Sequence, residues 1–97
     1  MFLILLRYKK PLAEVDRFVV EHRQFLKQHY DAGTLLLSGP KEPRDGGVIM
    51  AKATSRGAIE AIIHADPFFR EGIADYEIVE FKPVMHAPSL AGVVAAP

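Results

Sequence analysis

The chain has 97 residues, with 12 basic and 12 acidic side chains, four His and no Cys, so its formal net charge near pH 7 is zero. At 49% hydrophobic and 25% charged it has the composition of one globular domain, too apolar for disorder and too short for two cores. The neutral balance removes the electrostatic footprint of a nucleic-acid or anionic-membrane binder. The absence of Cys excludes disulfides, thiolate nucleophiles and Cys-ligated metals and suits a reducing, cytoplasmic setting. Any chemistry falls to His, carboxylates, hydroxyls or the backbone.

Met1 to Leu6 is apolar, but Arg7, Lys9 and Lys10 follow it at once. This is too short for a signal-peptide core, its charges lie on the wrong side, and no other run reaches membrane-spanning length. Phe2 to Tyr8 instead reads as a strand buried on both faces, ended by Lys9, Lys10 and Pro11. From Leu12 to about Asp31 apolar residues recur at three- and four-residue steps, predicting a long amphipathic helix that Gly33 stops. Thr34 to Ser38 is a second strand closed by Gly39 and Pro40. Lys41 to Gly47 is a loop with the turn signal Asp45-Gly46-Gly47, and Val48 to Ala53 is a third strand.

Ser55 is the expected N-cap of a second helix reaching about His64, with Ala58, Ile59, Ile62 and Ile63 as its buried stripe. Asp66-Pro67 ends it, because the residue before proline is pushed out of helical dihedrals. After a turn at Gly72, Tyr76 to Phe81 is the fourth strand, and the Ala/Pro-rich stretch from Val84 to Pro97 is a tail, either disordered or packed on a partner subunit. Residues 1–83 thus form one domain of order βαββαβ. Right-handed crossovers fold it into a ferredoxin-like α+β architecture, a four-stranded antiparallel sheet with both helices on one face. The first strand places Phe2, Ile4 and Leu6 on one face and Leu3 and Leu5 on the other. Helices cover only one face, so a second subunit is expected to cover the other, making a homodimer.

His22 falls three residues after Val19 and four before Leu26, which turns it from the apolar stripe of the first helix toward the sheet. A core histidine with one hydrogen bond is the plain reading; an acid or base is the other, because imidazole titrates near physiological pH. Asp66 is accounted for structurally as an N-cap before Pro67, and functionally if it orients an imidazole and raises its basicity. Ser38, Gly39 and Pro40 form an exit turn or a close backbone approach to a ligand. Phe68 is core or pocket wall. No His pair has a metal-ligand spacing with a third ligand, and no Gly-rich phosphate loop or Gly-x-Ser-x-Gly elbow is present, so no metal or cofactor is assigned.

Four separated blocks occur in order: His22; Gly-Thr-Leu-Leu-Leu-Ser-Gly-Pro at 33–40; Ala65-Asp66-Pro67-Phe68 with Gly72; and Glu77-Ile78-Val79-Glu80-Phe81-Lys82-Pro83. Together they resemble the YciI-like (YCII-related) family across residues 1–83. The resemblance implies a dimeric α+β barrel of ferredoxin-like subunits, with His22 and Asp66 as a catalytic pair and Gly39-Pro40 near the same pocket. It also implies lyase- or isomerase-like chemistry on a small organic substrate, such as dehydrohalogenation or the conversion of an aromatic catabolite. A non-catalytic ligand-binding or interaction module with a structural His-Asp pair is the alternative reading.

Overall fold

The computed structural model describes residues 1–94, so the last three residues of the expected tail lie outside it. Four strands, β1 (Phe2–Tyr8), β2 (Leu35–Pro40), β3 (Gly46–Ala51) and β4 (Ala74–Glu80), form one antiparallel sheet of order β2-β3-β1-β4. Helix α1 (Leu12–Asp31) connects β1 to β2, while α2 (Arg56–Ala65) and the single turn α3 (Pro67–Arg70) connect β3 to β4. This is the ferredoxin-like α+β order. No helix among the described residues is long and apolar enough to cross a membrane.

Core placement follows from strand alternation. Phe2, Ile4 and Leu6 of β1, Ile49 and Ala51 of β3 and Leu35 of β2 join Val15 and Leu26 of α1 and Ile59 and Ile63 of α2 in one buried cluster. The helices therefore cover the sheet face that carries the even-numbered β1 residues. Helix α1 stops where Gly33 takes φ of +81°, with Gly33 N–H donating to the Tyr30 carbonyl and Thr34 N–H to the His29 carbonyl. This paired closure satisfies two end carbonyls and favours glycine at the left-handed position.

Several boundaries differ from the sequence expectation. Strand β2 begins at Leu35 because the Thr34 N–H is used in closing α1, and it runs on to Pro40, which sits opposite Gly47. Gly46 and Gly47 belong to β3, opposite Arg7 and Leu6, which shortens the loop to 41–45. Strand β4 starts at Ala74, opposite Tyr8. Ala58 is exposed, since it lies about 100° around α2 from Ile59, which with Ile63 carries the buried stripe. The first part of the tail is exposed and includes a short 3-10 turn, Pro88–Leu90.

Gly46 is needed for contact and not for a turn: a Cβ there would lie 1.8 Å from the Leu6 carbonyl oxygen, a backbone atom that cannot swing away. Gly46→Ala is expected to cost about 1–3 kcal/mol, lowering the melting temperature by about 4–8 °C per kcal/mol. Gly39→Ala, with open space around the added methyl, serves as the control that leaves the melt unchanged.

Candidate active site

The site is built where α1 crosses the corner between α2 and α3. Asp66 leaves α2 in an extended conformation, with φ −69° and ψ 131°, and its carboxylate Oδ1 accepts the Phe68 backbone N–H at 2.9 Å, capping α3. Pro67 occupies the first helical position, where a missing N–H costs nothing. The same Oδ1 lies 2.8 Å from His22 Nδ1 of α1. A carboxylate oxygen accepts, so the proton of this contact sits on Nδ1 and the Nε2 lone pair of the neutral ring is left free.

Burial makes this contact strong. The Asp66 side chain is 2% exposed and that of His22 13% exposed. Phe68, itself buried, stacks on the imidazole with ring planes 1° apart and centroids 3.9 Å apart. Among the described residues Nε2 has no hydrogen-bond partner, and it is not sealed from solvent. The His22 ring lines a cavity of about 220 Å³ together with Ser38, Gly39, Pro40 and Phe68. The side chains expected from the sequence thus converge on one hollow, with Asp66 held behind His22 outside the lining.

The strand register explains the convergence. Ser38 pairs with Ile49 and Pro40 with Gly47, which puts both on the helix-covered face, and the register shift between Leu35 and Leu37 brings Ser38 onto that side. Ser38 Oγ is hydrogen-bonded to the Tyr30 hydroxyl near the end of α1, tying the cavity edge to the helix. A cavity of about 150 Å³ holds benzene, so this hollow has room for one substituted six-membered ring. Among the described residues no group of three or more His, Asp or Glu is arranged to hold a metal ion.

Sequence reasoning left out four residues here. Arg23 and Arg44 line the cavity together with Tyr8, which meets Phe68 edge-on at 6.1 Å. Arg44 comes from the loop between β2 and β3, sits over the Tyr8 ring and donates to Asp16 of α1 at 2.5 Å, a contact between distant segments that spacing does not reveal. Arg23 had a visible signal, being the neighbour of His22 on the helix. Tyr76 is the fourth. It pairs with Leu6 on the core face, and its buried hydroxyl has no hydrogen bond of ordinary geometry among the described residues. Burial, and then the negative charge of nearby Asp66, push its ionisation far above the ordinary value of 10.0.

The fold and site together define an α+β domain whose helix-covered cavity is lined by a carboxylate-oriented imidazole. The YCII-related domain family matches residues 1–82, and the chain belongs to that family. Among solved structures it is similar to TftG, the 5-chloro-2-hydroxyhydroquinone dehydrochlorinase of Burkholderia phenoliruptrix AC1100, in complex with 2,5-dihydroxybenzoquinone. The TM-score is 0.71 at 17% identity, over 84% of this chain and 94% of that one, a likeness of fold. No curated protein matches.

The unpartnered Tyr76 hydroxyl gives a prediction with a definite sign. Tyr76→Phe removes a desolvated hydroxyl that has no hydrogen bond of ordinary geometry to the described residues, and is expected to raise stability by about 1 kcal/mol at neutral pH. In the parent protein, stability falls as pH rises through the ordinary tyrosine range, because the unfolded chain ionises there while buried Tyr76 does not. Urea melts at neutral and alkaline pH check both points: the variant is more stable at neutrality and loses less on alkalinisation.

Proposed function

We propose that the protein is a small-molecule enzyme in which His22 moves a proton and Asp66 orients it, giving lyase- or isomerase-like chemistry without a cofactor in a cytoplasmic setting. The observation that carries this reading is an imidazole bonded through Nδ1 to a buried carboxylate, in the lining of a ring-sized cavity. Nε2 takes a C–H or O–H proton from the substrate, and the buried Asp66 carboxylate stabilises the imidazolium that forms. In an elimination, the released electron pair expels a leaving group such as chloride, and the imidazolium then returns its proton to water, so the substrate loses one H⁺ and one Cl⁻. In an isomerisation the proton goes back to a different carbon. Ser38, Gly39, Pro40 and Phe68 bound the space in which the substrate sits.

The similarity to a dehydrochlorinase makes halogenated hydroxyhydroquinones the first substrates to assay. On a substrate that turns over, His22→Ala is expected to lower kcat by about 10²–10⁴ while circular dichroism shows an intact fold, with Asp66→Asn reducing it in the same direction. Full turnover in a folded His22→Ala protein ends the proposal. A second reading is favoured by the capping role of Asp66: a non-catalytic small-ligand-binding or interaction module with a structural His-Asp bond. There His22→Ala would mainly lower the melting temperature, by about 1–3 kcal/mol of lost stability.

The functional unit we infer is a homodimer in which two open sheet faces meet. Across the uncovered face the register sets Leu37, Met50, Leu3 and Val79 in one row over all four strands, with Val48 and Leu5 in the next. Leu37 is 60% and Val79 37% exposed. An apolar row of that width on a 97-residue chain suits burial against its own copy. We place the tail from Val84 on that partner, where its exposed Val84 and Met85 gain cover. Equilibrium sedimentation is expected to return twice the 10.8 kDa chain mass, and Leu37→Glu to shift it toward the monomer. A monomeric parent protein at micromolar concentration rules the dimer out.

A further inference from the structure

The chain is neutral as a whole, yet its cavity is not. The lining contains His22, Arg23 and Arg44 and no carboxylate. Arg44 is offset by its bond to Asp16. Arg23 is not offset: of the six arginines, Arg7, Arg17, Arg44, Arg56 and Arg70 each pair with a carboxylate, whereas Arg23 has none within 4.0 Å among the described residues. The one guanidinium without a counter-ion is the one beside His22 at the cavity. Leu6, Val19, Leu26 and Ile49 make the rest of the lining largely apolar. An unneutralised cation facing an apolar hollow favours a ligand with an apolar body and an ionised oxygen.

We propose that Arg23 selects an anionic substrate, a single-ring or enolisable acid whose ionised carboxylate or phenolate oxygen meets its guanidinium while the ring rests in the hollow. This deepens the proton-transfer reading, on which it rests for the identity of the site. Arg23 has five N–H donors in a planar fork, so it can grip the oxygen before and after His22 takes a proton. A proton removed by Nε2 leaves electron density on the substrate, and a nearby fixed cation holds that density better than water does.

The test is equilibrium binding of two probes with the same ring and different charge, 4-hydroxybenzoate and 4-hydroxybenzamide, followed by calorimetry and by shifts of the His22 and Phe68 resonances. The carboxylate is expected to bind about tenfold more tightly than the amide, equivalent to about 1.4 kcal/mol, with the gap shrinking as salt rises. Arg23→Gln abolishes the preference. Arg70→Gln, an arginine outside the cavity paired with Glu21 and Glu71, leaves it intact. Equal affinity for the two probes, a preference that survives Arg23→Gln, or no saturable binding of either overturns the proposal. Binding is read without turnover, so these failures leave proton transfer by His22 standing. Full turnover by His22→Ala would end that reading and leave charge selection by Arg23 intact.

Discussion

One carboxylate oxygen organises the site. Asp66 Oδ1 accepts both the Phe68 N–H and the His22 Nδ1–H, so a single buried atom starts α3 and holds the middle of α1. A carboxylate in a nearly dry environment is costly unless its hydrogen-bonding capacity is used. Asp66, 2% exposed, is the one buried charged residue among those described, and its two bonds run to two different segments of chain. The α1–α3 packing that walls the cavity is thus coupled to the orientation of the imidazole facing it. Loss of the carboxylate leaves an orphaned N–H on each side, which makes stability and the proposed proton transfer hard to separate at this residue and easier to separate at His22.

Much of the fold was legible because it rests on local patterns. The apolar run Phe2–Tyr8, the helical spacing from Leu12, the stop at Gly33 and the Ser55 cap each depend on neighbours within a few residues, and each element is present. The strand ends were less legible, since they depend on pairing. Nothing local distinguishes Gly46 as a turn residue from Gly46 as a strand residue, and only the approach of the Leu6 carbonyl decides it. Ala58 failed for a related reason: small apolar residues fit a stripe by spacing without being large enough to define it.

The candidate site divides in the same way. His22 and Asp66 were visible as residue types in telling positions, but their 44-residue separation leaves contact to the tertiary fold. Ser38, Gly39, Pro40 and Phe68 do meet around one hollow. Arg23, Arg44 and Tyr76 were missed because an arginine on a helix or loop and a tyrosine in a strand are ordinary in sequence. They become informative through what surrounds them: the missing counter-ion of Arg23, the Asp16 contact of Arg44, the unpartnered hydroxyl of Tyr76.

The zero net charge is therefore a sum that conceals local order. Carboxylates line up with exposed basic residues over most of the surface, pairs of small energetic weight, while the cavity keeps its cations and lacks acids. The imidazole there is fixed in two independent directions. Asp66 sets the ring's rotation in its own plane through Nδ1, and Phe68, parallel at 3.9 Å, blocks its tilt out of plane. With both motions restrained by buried groups at the start of α3, the direction of the Nε2 lone pair is set by packing and not by solvent. That is the preorganisation a proton-transfer site requires, because the base then needs no rearrangement at the moment of reaction.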